Sequence, residues 1–323
     1  MLRYIVRRVL FGMLVLFVVS VITFVIFVKL PAGDPVQRAV GRHPSPQLIA
    51  VVRHRLGLDR SVWVQYWNFA KGLIPLPGLF LNKDVYYSYS NNIPVKTELW
   101  QRTPITATLA IGSAVIWVIL GIPVGIVSAT KPGSPLDRTA MIGALIGVSA
   151  PDFWLGLVFL YVFHFWLGVA PSSGIPFGMS TFTAIVTGRF VLPWLTLAST
   201  TAAFYSRMVR GNLMETMGED YIRTARAKGL AERSVIYRHG LRSALTPVVS
   251  MFGLDLAFLL GGAVIVENVF QLPGLGAYAI DALYTAKYAA VMGVTVLGAL
   301  LIVIANLVVD IGYAFLDPRV RYT

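Results

Sequence analysis

The sequence predicts an all-α, polytopic membrane protein. Of its 323 residues, 56% are hydrophobic and only 13% are charged, whereas a soluble domain carries about 25% charged residues. Its mean hydropathy is +0.71. The apolar residues also form long runs, and about 20 apolar residues in a helix cross the ~30 Å hydrocarbon core of a bilayer. The composition therefore indicates that lipid is the solvent of most of the chain.

Six apolar runs predict six transmembrane helices, at residues 9–28, 105–129, 140–167, 190–204, 244–266 and 289–316. The fourth run is short, and the third is long and contains Pro151 followed by Asp152. Proline is tolerated inside a span because neighbouring helices can satisfy the backbone groups that it frees. A cleaved signal peptide is the alternative for the first run. Its apolar region is longer than the roughly 7–15 residues of a signal peptide, so we expect a retained anchor.

The basic residues predict which connections face the cytoplasm. The chain has 27 Lys and Arg against 15 Asp and Glu, a formal net charge of +12. The connections on one side contain most of the counted basic residues, namely Arg3, Arg7, Arg8, Lys131, Arg138, Arg207, Arg210, Arg223, Arg226, Lys228, Arg233, Arg238, Arg242, Arg319 and Arg321. The short connections on the other side hold only Arg189 and Lys287. By the positive-inside rule, both termini lie in the cytoplasm.

This topology divides the chain into four parts. Residues 1–30 form the N-terminal tail and the first helix, and residues 31–103 form a long extracytoplasmic loop, which the charge rule does not count. Residues 104–316 form a five-helix core that includes a cytoplasmic loop at 207–243. Residues 317–323 form a cytoplasmic tail. The net charge thus follows topology, and no basic face interleaved with aromatic residues indicates nucleic acid.

The extracytoplasmic loop contains helix-like patterns followed by a proline-rich stretch. Apolar residues recur at helical spacing at Leu48, Val51, Val52, Leu56, Val62, Tyr66 and Phe69. Ser45 stands before Pro46, where an N-cap belongs. Residues 75–94 are rich in proline and aromatic residues, which predicts irregular or edge-strand structure. The loop either caps the outer mouth of a pathway or only packs on the spans, and the sequence leaves both open.

A polar stretch in the cytoplasmic loop, EDYIRTARAKGL at 219–230, predicts a short helix. Acidic residues lie at its start and Lys228 lies at its end, which are the positions that the helix macrodipole favours for these charges. Gly229 can adopt the left-handed conformation that follows the end of a helix. Its apolar face consists of Ile222 and Ala225, with Tyr221 beside them. Such a helix can lie among lipid headgroups. The small apolar face instead favours a groove of another protein.

Motifs for catalysis and metal binding are absent from the sequence. There is no GxxxxGK[ST] nucleotide loop and no HExxH, and the four histidines are scattered. The absence of cysteine excludes disulfides and thiolate sites. Four ionisable residues lie within the apolar runs, at Asp152, His164, Asp255 and Asp310. Asp152 and Asp255 are candidates for a membrane pathway, and a structural role at helix ends or breaks is the alternative.

Several segments, taken in order, resemble one known family over nearly the whole chain. They are RYIVRRVLFGMLVLFVVSVITFVIFVKLPAGDPV, LGLDRSVWVQY, VSAPDFWLG, DYIRTARAKGL, HGLRSALTPVV, VENVFQLPGLG and DPRVR. The chain resembles the inner-membrane permease subunits of ABC importers for oligopeptides and dipeptides, the OppB/DppB type. It departs from the family pattern at Arg223-Thr224-Ala225, where the general motif has Glu-Ala-Ala.

The resemblance implies a type I ABC importer permease in the cytoplasmic (inner) membrane of a bacterium or archaeon. It implies four kinds of partner: a second permease subunit, two ABC ATPase subunits or domains, an extracytoplasmic substrate-binding protein and membrane lipids. ATP and Mg would be bound by the ATPases, and this chain would carry no cofactor and no catalytic residue. By the resemblance, the residues that couple to an ATPase would be Asp220, Tyr221, Ile222, Arg223, Thr224, Ala225, Ala227, Lys228 and Gly229.

The substrate stays open within this resemblance. Peptides are expected, and nickel, haem, glutathione and opines are alternatives that relatives of the same type carry. An ion-coupled secondary transporter is an alternative from another class, since it would use the intramembrane charges and need no ATPase. A membrane scaffold that does not transport and only presents the cytoplasmic helix is a further alternative.

Overall fold

The computed structural model is almost entirely helical over the residues that it describes. These are residues 2–29, 36, 45–55, 59–74, 80–81, 86–88, 93–176, 178–260, 263–285 and 287–316. The predicted tail 317–323, residues 31–35 at the start of the predicted extracytoplasmic loop and part of the proline-rich stretch lie outside them. The all-α prediction is confirmed for the described part of the chain.

The α-helices in chain order are α1 (Leu2–Phe24), α2 (Pro46–Arg55), α3 (Val62–Ala70), α4 (Val95–Thr130), α5 (Pro135–Ser149), α6 (Asp152–Phe159), α7 (Thr181–Val186), α8 (Val191–Thr216), α9 (Asp220–Ala227), α10 (Glu232–Ser234), α11 (Leu241–Ala244), α12 (Thr246–Leu260), α13 (Val264–Val269), α14 (Leu275–Tyr284) and α15 (Tyr288–Leu316). Wider π-helical turns continue α1, α6 and α10, at Val25–Lys29, Leu160–Trp166 and Val235–Gly240. A 3₁₀ turn, Lys71–Leu73, follows α3.

The chain forms two compact units. The first comprises residues 1–107, 257–264 and 273–323, and the second comprises residues 108–256 and 265–272.

In the first unit, α1 and α15 pack antiparallel along their lengths. Arg8 near the start of α1 pairs with Asp310 near the end of α15, at 3.1 Å. One turn further along α1, a side chain at Gly12 would meet Val303. At the other end, the ring of Phe27 lies 6.3 Å from that of Tyr288. The order of these contacts sets the register of the first and last helices.

The far end of this helix pair forms the core of the first unit. Buried side chains come from the end of α1, the start of α4, all of α14 and the start of α15, together with Phe69 of α3 and Tyr86. Helices α2 and α3 confirm the helical periodicity predicted before and after Leu56. Two short antiparallel strands, β1 (Tyr87–Ser88) and β2 (Ile93–Pro94), lie in the stretch predicted as irregular or edge-strand.

In the second unit, two glycines let α4 and α8 approach closely. Gly121 and Gly125 are four residues apart on α4, the small-xxx-small spacing of close helix pairs in membranes. A Cβ atom at Gly121 would lie 2.9 Å from Tyr205 Cβ. A Cβ at Gly125 would lie 2.7 Å from the backbone oxygen of Ser206. Only glycine fits at these positions without moving one of the helices.

A proline breaks the third apolar run, which was predicted as one span with Pro151 inside it. Helix α5 ends at Ser149, and Pro151 precedes α6 in an extended conformation. The two halves are bent by 107°. Proline cannot donate the backbone hydrogen bond that would continue a helix, and it disfavours helical geometry in the residue before it. The run therefore forms two helices and not one straight crossing.

The apolar helices agree in part with the six predicted spans. Three described segments are long and apolar enough to cross a membrane singly: Ile5–Val28, Val95–Thr130 and Tyr288–Ile311. The bent pairs α5–α6 and Glu232–Ala244 with Thr246–Leu260 raise the number to five. The fourth run lies in α8, which is less apolar because hydroxyl residues and two arginines interrupt it. Six spans therefore stays a prediction.

We predict that Gly125→Ala destabilises the second unit, because the new methyl group would press on the backbone of Ser206. Overpacking of this kind costs about 1–3 kcal/mol. Gly143→Ala in α5 is the matched control, since no atom lies within 4 Å of its Cβ position. Thermal unfolding in detergent at one heating rate should give a lower midpoint for Gly125→Ala than for Gly143→Ala. Equal midpoints would contradict the close approach.

Candidate functional site

The predicted cytoplasmic helix is present as α9, residues Asp220–Ala227. Glu219 precedes it in an extended conformation, and Asp220 lies in its first turn. The helix ends at Lys228, and Gly229 takes a φ of +74°. This left-handed conformation carries little cost for glycine, which explains the residue at the end of the helix. Both ends of α9 confirm the helix that the sequence predicted.

The apolar face of α9 is covered by the chain itself. Ile222 and Ala225 are buried with Val235 of the following π-helical turn, and Met217 packs against them. The sequence had favoured a groove of another protein for this face. In the structure these two side chains hold α9 onto the segments that precede and follow it.

An ion pair spans the turn after α9. The Arg226 guanidinium donates two hydrogen bonds to the Glu232 carboxylate, at 2.7 and 3.1 Å. The hydrogen bonds from Arg226 hold the pKa of Glu232 below its ordinary value. Both side chains are exposed, so the pair contributes little to stability by itself. Its two parallel bonds orient α9 relative to α10.

The other side of α9 is available to a partner. Its exposed residues are Asp220, Tyr221, Arg223, Thr224, Arg226, Ala227 and Lys228. Thr224 donates to the backbone oxygen of Asp220 at 3.0 Å, and Arg223 lies 3.3 Å from the Asp220 carboxylate. The result is a mixed polar surface on a rigid helix, with Tyr221 as its one large aromatic side chain.

The loop that follows α9 is anchored to the end of α8. Gly240 is buried there, and a Cβ at this position would lie 2.9 Å from Met217 Sδ and 3.3 Å from Leu213 Cδ1. Asn212 donates to the backbone oxygen of Ala244 at 3.3 Å. The segment that follows α9 therefore packs directly on the end of α8.

An ion pair of half-buried Arg210 with buried Asp137 joins α8 to the start of α5. Arg210 donates two hydrogen bonds to the Asp137 carboxylate, at 2.7 and 2.9 Å. The backbone N–H of Gly133 donates to the same carboxylate, and Ser134 caps the helix by accepting from the Asp137 N–H. Sequence reasoning counted Arg210 only as a topological charge and missed its partner. The capping pattern Ser134-Pro135 before Asp137 is the signal that marks this helix start.

The two pathway candidates, Asp152 and Asp255, are both bound by hydroxyl groups of α8. Thr200 donates to Asp152 at 2.9 Å, and Tyr205 donates to Asp255 at 2.7 Å. Both carboxylates are half-buried, whereas Tyr205 is fully buried. The structure thus attaches both acids to one helix, through partners that the sequence alone did not indicate.

The ring of Tyr205 also belongs to a buried aromatic group of the second unit. It lies 6.0 Å from the ring of Trp117 on α4, which in turn lies 5.8 Å from the ring of Phe252 on α12. Helix α8 therefore contacts both neighbours beside Asp255. Within the described residues, no three His, Asp or Glu side chains are grouped as metal ligands.

Comparison with protein families gives two adjacent matches. Residues 121–322 match the family described as binding-protein-dependent transport system inner membrane component, and residues 1–110 match its N-terminal region. The chain belongs to this family. As a binding-protein-dependent transport component it is a multi-pass inner-membrane protein, and the resemblance to oligopeptide and dipeptide permeases is confirmed.

Individual members of the family are similar over the full length of the chain. The dipeptide transport system permease protein DppB of Alkalihalophilus pseudofirmus is 36% identical over 341 residues, with 100% of both chains covered. The glutathione transport system permease protein GsiC of Escherichia coli strain K12 is 37% identical over 322 residues, again with 100% of both covered.

A solved structure shows the same fold. A chain of the inward-facing MetNI methionine ABC transporter superposes with a TM-score of 0.56 at 23% identity. The match covers 69% of this chain and 98% of that chain. At this identity the likeness shows the fold of an ABC importer permease and nothing about substrate.

We predict that Ile222→Ala loosens α9 while Tyr221→Ala does not. Ile222 is buried in the small cluster with Val235, and removing such a side chain costs about 2–5 kcal/mol. Limited trypsin digestion of the membrane-embedded chain should cleave faster after Arg223, Arg226 and Lys228 in Ile222→Ala. Tyr221 is exposed, so its variant is the matched control. Equal cleavage rates would contradict the internal packing of α9.

Proposed function

We propose that the chain is the permease subunit of an ATP-driven importer and forms half of a translocation pathway for peptides. The observation that carries the proposal is α9, a rigid cytoplasmic helix with an exposed polar face and a buried face fastened to α8. Full-length similarity to a dipeptide permease and a glutathione permease supports it.

The contacts of the first unit support the proposed topology of six spans with cytoplasmic termini. The end of α1, the start of α4 and the start of α15 share one buried core, so these three ends lie at one membrane side. The pair Arg8–Asp310 lies at the opposite end of α1 and α15. Because Arg3, Arg7 and Arg8 flank that end, the positive-inside rule assigns it to the cytoplasm.

The proposed spans are α1, α4, the α5–α6 pair, α8, the region of α12 and α13, and α15. Helix α8 completes the even number that brings both termini to one side. Its polar C-terminal half, which carries Arg207 and Arg210, would extend into the cytoplasm towards α9. The coupling loop predicted at 207–243 therefore begins on this helix.

The proposed partners are a second permease subunit, two ABC ATPase subunits or domains and an extracytoplasmic binding protein. ATP and Mg would be bound by the ATPases, and this chain would have no catalytic role. The exposed residues of α9 would lie in a cleft of one ATPase. Of the predicted coupling residues, Ile222 and Ala225 would act by fastening α9, and Gly229 by ending it.

Movement of α9 would reach the membrane through α8. The packing at Gly240 and Met217 transmits the displacement, and the Arg210–Asp137 pair carries it to α5. Thr200 and Tyr205 on α8 would then shift the carboxylates of Asp152 and Asp255. Alternating access needs an element with two arrangements, each favoured by a different ligand state. Helix α8 has the contacts for that element.

Peptides are the proposed substrate class, with glutathione as the second candidate. Glutathione is itself a tripeptide, so the two similar permeases share a chemistry of amide bonds and charged termini. Neither of these two relatives is named for nickel, haem or opines, which therefore rank behind peptides as substrates for this chain. Asp152 and Asp255 are acids that could meet a peptide amino group, and they stay candidates for the pathway.

We predict ATP-dependent uptake by the complete complex in proteoliposomes. A labelled dipeptide supplied with its binding protein outside should accumulate when ATP is present on the ATPase side. A complex with a hydrolysis-deficient ATPase is the control and should give none. Glutathione should compete if the two substrates share the pathway. Uptake driven by a proton gradient without ATP would overturn the importer proposal in favour of a secondary transporter.

We predict that Arg223→Glu uncouples the permease from its ATPase without unfolding the chain. Arg223 is exposed on α9, and its pair with Asp220 is too exposed to matter for stability. Reversing one interface charge should weaken ATPase copurification by about tenfold, or ~1.4 kcal/mol. Arg233→Glu is the matched control, because Arg233 is exposed on α10 outside the proposed contact.

Transport should fall with copurification in Arg223→Glu and stay normal in Arg233→Glu. Normal transport in both would contradict the coupling role of this face. Ala225→Arg would not separate lost docking from misfolding, because Ala225 is buried. Gly229→Pro would not separate them either, because proline cannot adopt the φ of +74° and the end of α9 would be distorted.

A further inference from the structure

The helical segment Glu232–Ala244 leads into α12 and packs on its surroundings through one face. Val235, Gly240 and Ala244 on this face are all buried. Val235 lies under the apolar face of α9, and Gly240 lies against the end of α8. Ala244 accepts a hydrogen bond from Asn212 of α8 at 3.3 Å. These buried positions recur every four or five residues, so one side of the segment is held against α8 along its length.

The opposite face of the segment is basic and exposed. Tyr237, Arg238 and Arg242 are all exposed and recur at the same four- to five-residue spacing. Within the part of the chain that the structure describes, neither arginine forms an ion pair. Glu232, the acid of this segment, is already bound by Arg226. We call Tyr237, Arg238 and Arg242 the basic face.

The basic face directly precedes the apolar part of α12. The predicted apolar run begins at Ala244, and Arg242 and Arg238 stand two and six residues before it. The segment is bent by 48° from α12, so each residue adds about 1 Å along the α12 axis at the helical rise of ~1.5 Å. The two arginines therefore lie about 2 and 6 Å outside the apolar run. The headgroup layer is about 5–7 Å thick on each side of the hydrocarbon core.

We propose that the basic face binds the headgroups of anionic phospholipids. The inference rests on the proposed topology, in which α12 begins a span at the cytoplasmic surface. A guanidinium group donates parallel hydrogen bonds to phosphate oxygens. Basic residues at the cytoplasmic end of a span are attracted to anionic lipid. Tyrosine also prefers this level, because its ring is apolar and its hydroxyl group is polar.

An acidic surface of an ATPase is the competing occupant of the basic face. Helix α9, the proposed docking helix, is fastened to the start of the segment by Val235 and by the ion pair of Arg226 with Glu232. Arg242 lies at the other end, next to α12. Because lipid phosphates are the anions of the headgroup layer, the position of the basic face favours lipid.

Bound headgroups would give the coupling loop a second support. The segment would be held by α8 on its buried face and by lipid on its basic face. A bilayer without anionic lipid would leave the basic face unpaired, and the loop would be held on α8 alone. The lipid composition would then influence how firmly α9 is held relative to α12.

Fluorescence quenching in nanodiscs tests the proposal, since the natural chain contains no cysteine. Tyr237→Cys would carry a fluorophore on the basic face, and Ser250→Cys, exposed one turn into α12, would carry the lipid reference. The full complex with cysteine-free partners would be placed in phosphatidylcholine. An equal share of spin-labelled phosphatidylglycerol or spin-labelled phosphatidylcholine would be added, with the spin label at the same acyl position. The ratio of the two quenching efficiencies measures the preference for anionic lipid.

We expect phosphatidylglycerol to quench the label at Tyr237 more strongly than phosphatidylcholine does. Adding Arg238→Gln or Arg242→Gln should lower this preference by about fivefold for each arginine removed. Arg233→Gln is the matched control and should leave it unchanged. Arg233 is an exposed arginine of the same segment, but it lies about 11 Å outside the apolar run, beyond the headgroup layer. None of the three arginines is buried, so these variants remove no core packing.

Four results would overturn the proposal. Equal quenching by the two lipids would show that the arginines do not select anionic headgroups. Quenching of the Tyr237 label only when the ATPases are absent would show that an ATPase covers the basic face. Quenching at Ser250 without quenching at Tyr237 would place the basic face away from the bilayer. Quenching at neither position would overturn the topology together with the proposal.

Failure of the importer function would be distinguishable from failure of lipid binding. Uptake that does not depend on ATP would contradict the importer and leave the quenching ratio at Tyr237 unchanged. Loss of the anionic preference with normal ATP-dependent uptake would contradict lipid binding alone.

Discussion

The close approach of α8 to Gly121 and Gly125 of α4 is the contact on which the second unit depends. Lipid tails are as apolar as the side chains they would replace, so helix association in a membrane relies on close packing and internal polar bonds. Both are concentrated on α8. Gly121 and Gly125 allow the α8 backbone to approach α4 closely. The Thr200, Tyr205 and Arg210 side chains of α8 each bind an acid on another helix.

This arrangement gives α8 a second property that matters for transport. A helix that satisfies carboxylates on α5, α6 and α12 cannot move without rearranging them, because each unpaired group in a low-dielectric interior is costly. The loop that holds α9 also packs on the C-terminal end of α8. One helix therefore joins the exposed polar face of α9 to the acids on α5, α6 and α12. The proposed coupling follows from this continuity.

Much of the architecture was predictable because lipid imposes a simple pattern. The apolar run at the end of the chain predicted α15 almost residue for residue, whereas the run around Pro151 predicted one span and formed two helices. Gly229 predicted the end of α9 because its left-handed conformation is local. The packing of Ile222 and Ala225 within the chain was not predictable, because the sequence pattern of an apolar face is the same whether the chain itself or a partner covers it. In the structure, Val235 and Met217 cover this face.

The sequence by itself determined the solvent of the chain, its helical class, the family to which it belongs and the position of the polar helix α9, since each depends on local composition or on ordered motifs. Only the tertiary structure decided which side chains meet. Asp137 and Arg210 are 73 residues apart, and Asp255 and Tyr205 are 50 apart. Such pairings depend on how the helices pack against one another, and the periodicity of a single segment does not show which helix that segment contacts.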